Sequence, residues 1–342
     1  MVKRLVSAHG GILSKLLLPT HWYSVSARCL RTHSYEQEKK PHHAIVYHDD
    51  FSINPIQQGH RFPMPKDALL YQALKEQGMA AFVLTPSLPS VDDICLVHDA
   101  SYVRRFIDGT LSEKEMRKIG LPWSPDLVHR TLIGVGSAIE AARYAVEHTS
   151  IAIMCNGGTH HAHADHGSGW CIFNDQAVSC RYVQKYHGVK NVLFVDLDVH
   201  LNDGTASIFQ SCTNTYLFSM HGAAQSFPAV KFRNNIDIEV PAGCTDDQYM
   251  SLLENSALGD IMDTYSFDLV LYNAGVDVHC DDLLGSLSLT DRGIERRDRY
   301  ILQQCISRGL PLAVAIGGGY ATNHYDIVRR HLILHHVLKE FK

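Results

Sequence analysis

From residue 44 onward the chain alternates short apolar runs with longer amphipathic stretches. The runs Ala44–Tyr47, Ile151–Cys155, Val192–Val195, Thr215–Met220, Leu269–Tyr272 and Leu312–Ile316 are bounded by turn residues, and they predict buried strands. The stretches Lys66–Glu76, Ser124–Glu147, Asp175–Tyr186, Asp246–Tyr265, Asp291–Ser307 and His324–Leu338 carry apolar residues at helical spacing and predict helices. Strand alternating with helix predicts an α/β fold: a mostly parallel sheet covered by helices on both faces. No linker, low-complexity tract or repeat interrupts the pattern after residue 41. Residues 41–342 are therefore expected to form one domain, near the upper size for a single core.

Polar and glycine-rich clusters follow four of the strands. Ile151–Cys155 leads into Asn156-Gly157-Gly158-Thr159-His160-His161, and Val192–Val195 leads into Asp196-Leu197-Asp198-Val199-His200. Leu269–Tyr272 leads into Asn273-Ala274-Gly275-Val276-Asp277, and Leu312–Ile316 into Gly317-Gly318-Gly319-Tyr320. In a parallel sheet such loops gather along the C-terminal edge, so one composite site accounts for all four. Alternation along a strand would put Asp196, Asp198 and His200 on one face at its tip. Charged groups there are hard to read as packing, because buried charges are paired or bind a metal.

Composition changes the picture at two points. The 22 His are unusual, and several cluster with Asp, which favours a metal site. Nine Cys without a C-x-x-C pair, and no Asn-x-Ser/Thr site, fit a reducing compartment better than a disulfide framework. A net charge of −5 gives no reason to expect direct nucleic-acid binding. Apolar and charged contents of 45% and 20% are those of a soluble globular protein. Residues 1–40 differ from the rest. Lys3, Arg4, Lys15, Arg28 and Arg31 precede the first acid, Glu36, and the apolar stretch between them is too short to span a bilayer. This segment reads as a targeting presequence, mitochondrial in character, or else as a disordered tail of a nuclear or cytoplasmic protein.

Asp198, His200 and Asp277 would give a metal two carboxylates and one imidazole, with positions left open for substrate, as in a catalytic site. Such a donor set suits Zn²⁺, with Fe²⁺ as the alternative. The tandem His160-His161 follows a glycine pair that lets both rings turn toward the metal, where an imidazole can accept and return a proton. Asp196 and Asp203 are available to fix those rings. Tyr320, after three glycines, can donate a hydroxyl to a developing oxyanion. No H-E-x-x-H, G-x-x-x-x-G-K-[S/T] or G-x-G-x-x-G pattern occurs, so zincin proteases and phosphate-loop proteins are not indicated.

Taken together, Gly157–Ala162, Gly167-Ser168-Gly169-Trp170-Cys171, Asp196–His200, Asn273–Asp277 and Gly317–Tyr320 resemble the motifs of the zinc-dependent histone deacetylase family, in order, over about residues 44–335. The wording is most similar to the class IV branch and its bacterial relatives. The resemblance implies an arginase/deacetylase-like fold and hydrolysis of Nε-acyl-lysine in a protein or peptide, histones among them. It implies Asp198, His200 and Asp277 as zinc ligands, His161 as general base and acid, and His160 as an electrostatic partner. Asp196 would orient His160 and Asp203 would orient His161. Tyr320 would polarise the acyl carbonyl, with Gly169, Trp170, Phe227 and Gly318 around the acyl-lysine. K⁺ is implied as a structural ion near Asp196–His200.

Trp170 stands where the family usually has Phe, which bears on acyl-chain preference. Polyamine-specialised relatives carry a Glu seven residues after the second Asp ligand; here Leu284 occupies that position, at the substrate rim, and favours peptide acyl-lysine over acetylpolyamine. Acetylpolyamine hydrolysis and a non-catalytic metal-binding scaffold are the competing expectations.

Overall fold

The computed structural model describes residues 43–56 and 59–341; the presequence expected in residues 1–40 lies outside the described residues. Eight strands form one sheet: β1 (His43–Val46), β2 (Val83–Leu84), β3 (Ile151–Met154), β4 (Val192–Asp196), β5 (Thr215–Gly222), β6 (Ile236–Val240), β7 (Leu269–Asn273) and β8 (Leu312–Ala315). Their spatial order is β2-β1-β3-β8-β7-β4-β5-β6, and every pairing is parallel. The expected strands form within a residue or two of their predicted bounds. Two more appear at the edges. β2 is too short to leave a periodic signal, whereas β6 reads Ile-Asp-Ile-Glu-Val, a clear alternation with an acidic outer face suited to an edge.

Side-chain alternation divides the interior into two layers. Ile45, Ile153, Leu193, Val195, Val270, Tyr272 and Val314 pack on one face, with residues of the helices Lys66–Glu76, Asp246–Glu254, Asp291–Ser307 and His324–Leu338. Val46, Met154, Val192, Phe194, Leu271 and Ala315 pack on the other, with Pro125–His148, Asp175–Tyr186 and Asp203–Phe209. Burial on both faces is why these strands read as continuous apolar runs. Asp246–Tyr265, expected as one helix, is two: Asp246–Glu254 and Leu258–Thr264. At the break Asn255 Nδ2 and Ser256 Oγ donate to the carbonyls of Ser251 (2.8 Å) and Leu253 (2.6 Å), short polar side chains competing for the backbone.

The order β3-β8-β7-β4 makes the four strands with polar C-terminal extensions immediate neighbours. In register, Asp196 of β4 lies beside Asn273 of β7, which lies beside Ala315 of β8. Below these loops the fully buried Arg297 donates to the carbonyls of Leu197 (3.3 Å) and Gly275 and pairs with Asp298 at 2.8 Å. Tyr272 Oη donates to the same Asp298 (2.6 Å). One guanidinium thus ties the loops after β4 and β7 together.

Candidate active site

Alternation carries past the end of β4. Leu197 and Val199 stay in the same core layer as Leu193 and Val195, which leaves Asp196, Asp198 and His200 to the opposite side. Asp277 arrives from the loop after β7. Ligand atoms of Asp198, His200 and Asp277 all lie within 4.8 Å of one another, and all three residues are buried. His200 Nδ1 is 3.0 Å from Asp198 Oδ1 and 3.1 Å from Asp277 Oδ2. Backbone donors hold the carboxylates: Gly318 N to Asp198 Oδ2 (2.8 Å), His200 N to Asp198 Oδ1 (2.9 Å) and Val199 N to Asp277 Oδ1 (2.9 Å). A Cβ on Gly318 would collide with the Asp198 and Asp277 carboxylates, so this loop needs glycine there.

The donor set fits a divalent ion. Burial pushes Asp277 up, and the nearby Asp198 charge adds to it, giving about 7. Burial works to lower His200, but the hydrogen bonds and charges of Asp198 and Asp277 outweigh it and push it up to about 10. Two buried carboxylates this close call for positive charge between them, which a proton on His200 or a metal ion can provide. A second group, His279, Cys280 and Asp281, also brings ligand atoms within 4.8 Å. There His279 Nδ1 already accepts from Asp281 N (3.0 Å) and Nε2 faces Asp291 at 3.3 Å, while Cys280 and Asp281 are exposed. That cluster offers no free imidazole nitrogen.

Beside the first group stand the two histidines. His160 Nδ1 is 2.8 Å from Asp196 Oδ2, and His161 Nδ1 is 2.6 Å from Asp203 Oδ1. Their Nε2 atoms are 3.1 Å apart. Burial opposes charge on both rings. For His160 the Asp196 and Asp198 charges overcome it and raise the ring to about 9; for His161, burial and then the neighbouring His160 lower it to about 4. The consistent protonation pattern is an imidazolium at His160 and a neutral His161 that donates from Nδ1 and accepts the His160 Nε2–H at its own Nε2. Asp203 begins the helix Asp203–Phe209.

Gly169 and Trp170 are consecutive left-handed residues, with φ of +54° and +64°. Trp170 N donates to Ile119 O (2.7 Å) and Gly169 N to Lys118 O (3.3 Å), which anchors this unfavourable backbone on the helix Glu113–Ile119. The indole sits 5.4 Å from the Tyr320 ring and 5.7 Å from Phe62, centroid to centroid. Phe227 lies edge-on to His161 at 4.7 Å, so close to Gly169 that a Cβ there would meet its ring at 2.7 Å. A cavity of about 910 Å³, counting its open mouth, is lined by Gly169, Trp170, Tyr320, His160, His161 and Asp198, and also by the buried Phe51, Leu127, Val135, Asp67 and Arg130. Burial, and then Asp277 and Asp198, push the Tyr320 phenol well above its ordinary value, so its hydroxyl keeps the proton it could donate.

Leu284 is a correction. It does not line the cavity: it is half-buried in the neighbouring loop, where its carbonyl accepts from Gln225 Nε2 (3.3 Å). Its neighbour Asp282 has the larger part, accepting from Leu284 N, Gly285 N and Tyr320 N (2.7 Å) and so fixing the Tyr320 backbone. Sequence reasoning also passed over Asn273, whose Nδ2 is 3.2 Å from both Asp196 oxygens, and Lys66, whose buried ammonium donates to Gly317 O (2.5 Å). A lysine inside the apolar stretch Phe62-Pro-Met-Pro-Lys66 was the available signal for the latter.

Residues 60–335 match the model of the histone deacetylase domain. The chain is 45% identical over 300 residues to an uncharacterised protein of Picosynechococcus, covering 86% of this chain and 98% of that one. It is 27% identical to histone deacetylase 2 of Arabidopsis thaliana (83% and 76% covered) and 28% identical to the acetoin utilization protein AcuC of Bacillus subtilis (81% and 77%). Among solved structures, the HDA15 HD domain superposes with a TM-score of 0.71 at 18% identity, covering 87% of this chain and 88% of that one, a likeness of fold. The domain match spans β2 to β8 and every polar loop of the site, and the chain belongs to the histone deacetylase family, a family of hydrolytic deacetylases.

Proposed function

We propose that this protein hydrolyses the amide of Nε-acyl-lysine in a protein or peptide, with Asp198, His200 and Asp277 holding Zn²⁺ or Fe²⁺. The observation that carries this reading is the meeting of two carboxylate-anchored imidazoles, a buried three-ligand cluster and a protonated phenol along one cavity. When bound, the ion would supply Lewis acidity at the acyl carbonyl. Neutral His161 would take a proton from the attacking water at Nε2 and return it to the departing lysine amine. Asp203 would keep the His161 tautomer that leaves Nε2 unprotonated, and the His160 imidazolium, whose Nε2–H faces that nitrogen, would stabilise negative charge nearby. The Tyr320 hydroxyl would donate to the carbonyl oxygen as it gains charge.

Gly169 and Trp170 would wall the passage for a linear aliphatic stem, with Phe227 set against Gly169 and His161. Apolar side chains in the lining, Phe51, Leu127 and Val135 among them, support accommodation of acyl groups longer than acetyl, although the paired Arg130 and Asp67 line the same cavity. The experiment is a panel of acetyl- and longer-acyl-lysine peptides with acetylpolyamines, assayed with and without added zinc. Turnover of acyl-lysine peptides above the polyamines supports the reading. Preference for the polyamines would replace it with small-molecule deacetylation.

A further inference from the structure

His163 is absorbed by none of the roles above, yet it faces the carboxylate that holds His161. His161 occupies Asp203 Oδ1 at 2.6 Å, and His163 Nε2 lies 3.2 Å from the other oxygen, Oδ2. Asp203 is buried, and these two imidazoles are its only side-chain hydrogen-bond partners among the described residues. With both oxygens occupied, the carboxylate cannot turn away from His161 without leaving a buried acceptor unpaired. The His163 backbone is itself held. Its N donates to His166 O (2.9 Å), and its carbonyl lies 2.9 Å from Nδ1 of His98, a ring that accepts from Asn174 N (2.9 Å). The His163 ring is stacked on His166 at 4.4 Å and 15°, with Phe232 edge-on at 5.5 Å. His166 in turn pairs with exposed Asp165 at 2.6 Å. A histidine that merely filled space would not need its donor turned onto this carboxylate.

We infer that His163 is a positioning residue for the hydrolysis: its Nε2–H clamps the second oxygen of Asp203 and so fixes the orientation of His161. The inference rests on the reading of His161 as the base and of Asp203 as its orienting partner. A clamp of this kind lowers kcat when it is removed and leaves KM and metal content unchanged, because His163 touches neither the substrate passage nor the ligand cluster.

The test is a double-mutant cycle on the full chain with an acyl-lysine peptide, with metal content and thermal midpoint followed for each variant. His163→Leu, and His163→Asn, whose amide is too short to reach, should each lower kcat by about tenfold, the scale of one hydrogen bond to a charged group. His163→Gln, whose Nε2 amide can stand where the imidazole Nε2 stood, should restore most of the rate. In an Asp203→Asn background the His163 substitutions should cost little more. If their losses add in full to that of Asp203→Asn, or if Gln is as poor as Asn, His163 does not act through Asp203 and the inference is overturned. If Asp203→Asn by itself leaves kcat unchanged, it is the underlying role of Asp203 that fails.

Discussion

At the scale of single residues, the chemistry concentrates in a few groups whose surroundings set their protonation. Tyr320 keeps its proton because it is buried beside Asp277 and Asp198. Tyr320→Phe should therefore lower kcat by about 10²–10³, or ~3–4 kcal/mol, with a much smaller effect on ligand affinity. A variant within about threefold of the wild-type kcat would remove the hydroxyl from the mechanism. Trp170 is held by its backbone with the indole against Tyr320 and Phe62. Trp170→Phe should shift the long-acyl to acetyl ratio of kcat/KM by about tenfold, since each methylene in an apolar pocket carries roughly 1–3 kcal/mol. An unchanged ratio across an acyl series would move selectivity to the rim loops. The groups bearing these roles could be read from the sequence because they come as dense motifs. Asn273 stands in one of those motifs without its bond to Asp196 being legible, and His163 and Asp282 carry no motif of their own, so their partners are set only by the fold. The 40 residues separating His163 from Asp203 are closed only by the fold.

At the scale of elements, two supports bear on the site. The helix Glu113–Ile119, which anchors Trp170, opens on a capping box: Glu115 N donates to Ser112 Oγ (3.3 Å), and Ser112 N to Glu115 Oε2 (2.8 Å). The Ser112 hydroxyl, and then Arg105, lower Glu115 to about 2 from an ordinary 4.5. A carboxyl depressed in the folded state stabilises it fully above its unfolded value and loses that contribution as pH falls toward its folded value. The stability difference between wild type and Glu115→Ala, followed by urea unfolding, should thus shrink from about pH 4.5 to about pH 2. A constant difference across that window would refute the coupling. Arg297 is the second support. Arg297→Leu leaves Asp298 buried without its cation, and a loss of about 3–5 kcal/mol is expected in the same measurement. A loss under about 1 kcal/mol would show that the loops after β4 and β7 are held by other contacts. The hydrophobic pattern located the elements but not their interruptions. Asn255 and Ser256 sit in a stretch of helical periodicity, and their side chains bond backbone carbonyls where the helix ends.

At the scale of the whole molecule, alternating strands and helices made the parallel sheet legible, and the polar clusters after four strands made a composite site legible. The strand order was not, because adjacency of β3, β8, β7 and β4 depends on crossovers that no local pattern encodes. Burial of histidines in this architecture has a global consequence. Burial lowers His98 to about 4 and His335 to about 3. His98 accepts from Asn174 N at Nε2, so a proton there would face a donor. Among the described residues seven imidazoles are depressed in the folded state (His98, His161, His166, His221, His279, His331 and His335) against His160, His200 and Asp277 raised, so on balance the folded chain binds fewer protons and stability should fall as pH drops below about 6.5. Thermal midpoints that stay flat from pH 7 to pH 5 would contradict this. On the proposed function, hydrolysis depends on a divalent ion held by Asp198, His200 and Asp277. The most direct test of this dependence is turnover of an acyl-lysine peptide by protein stripped by prolonged chelation, before and after addition of Zn²⁺ or Fe²⁺, with bound metal measured in the same samples. Activity should be lost with the metal and return on its addition. Undiminished turnover by protein with no measurable metal would contradict it.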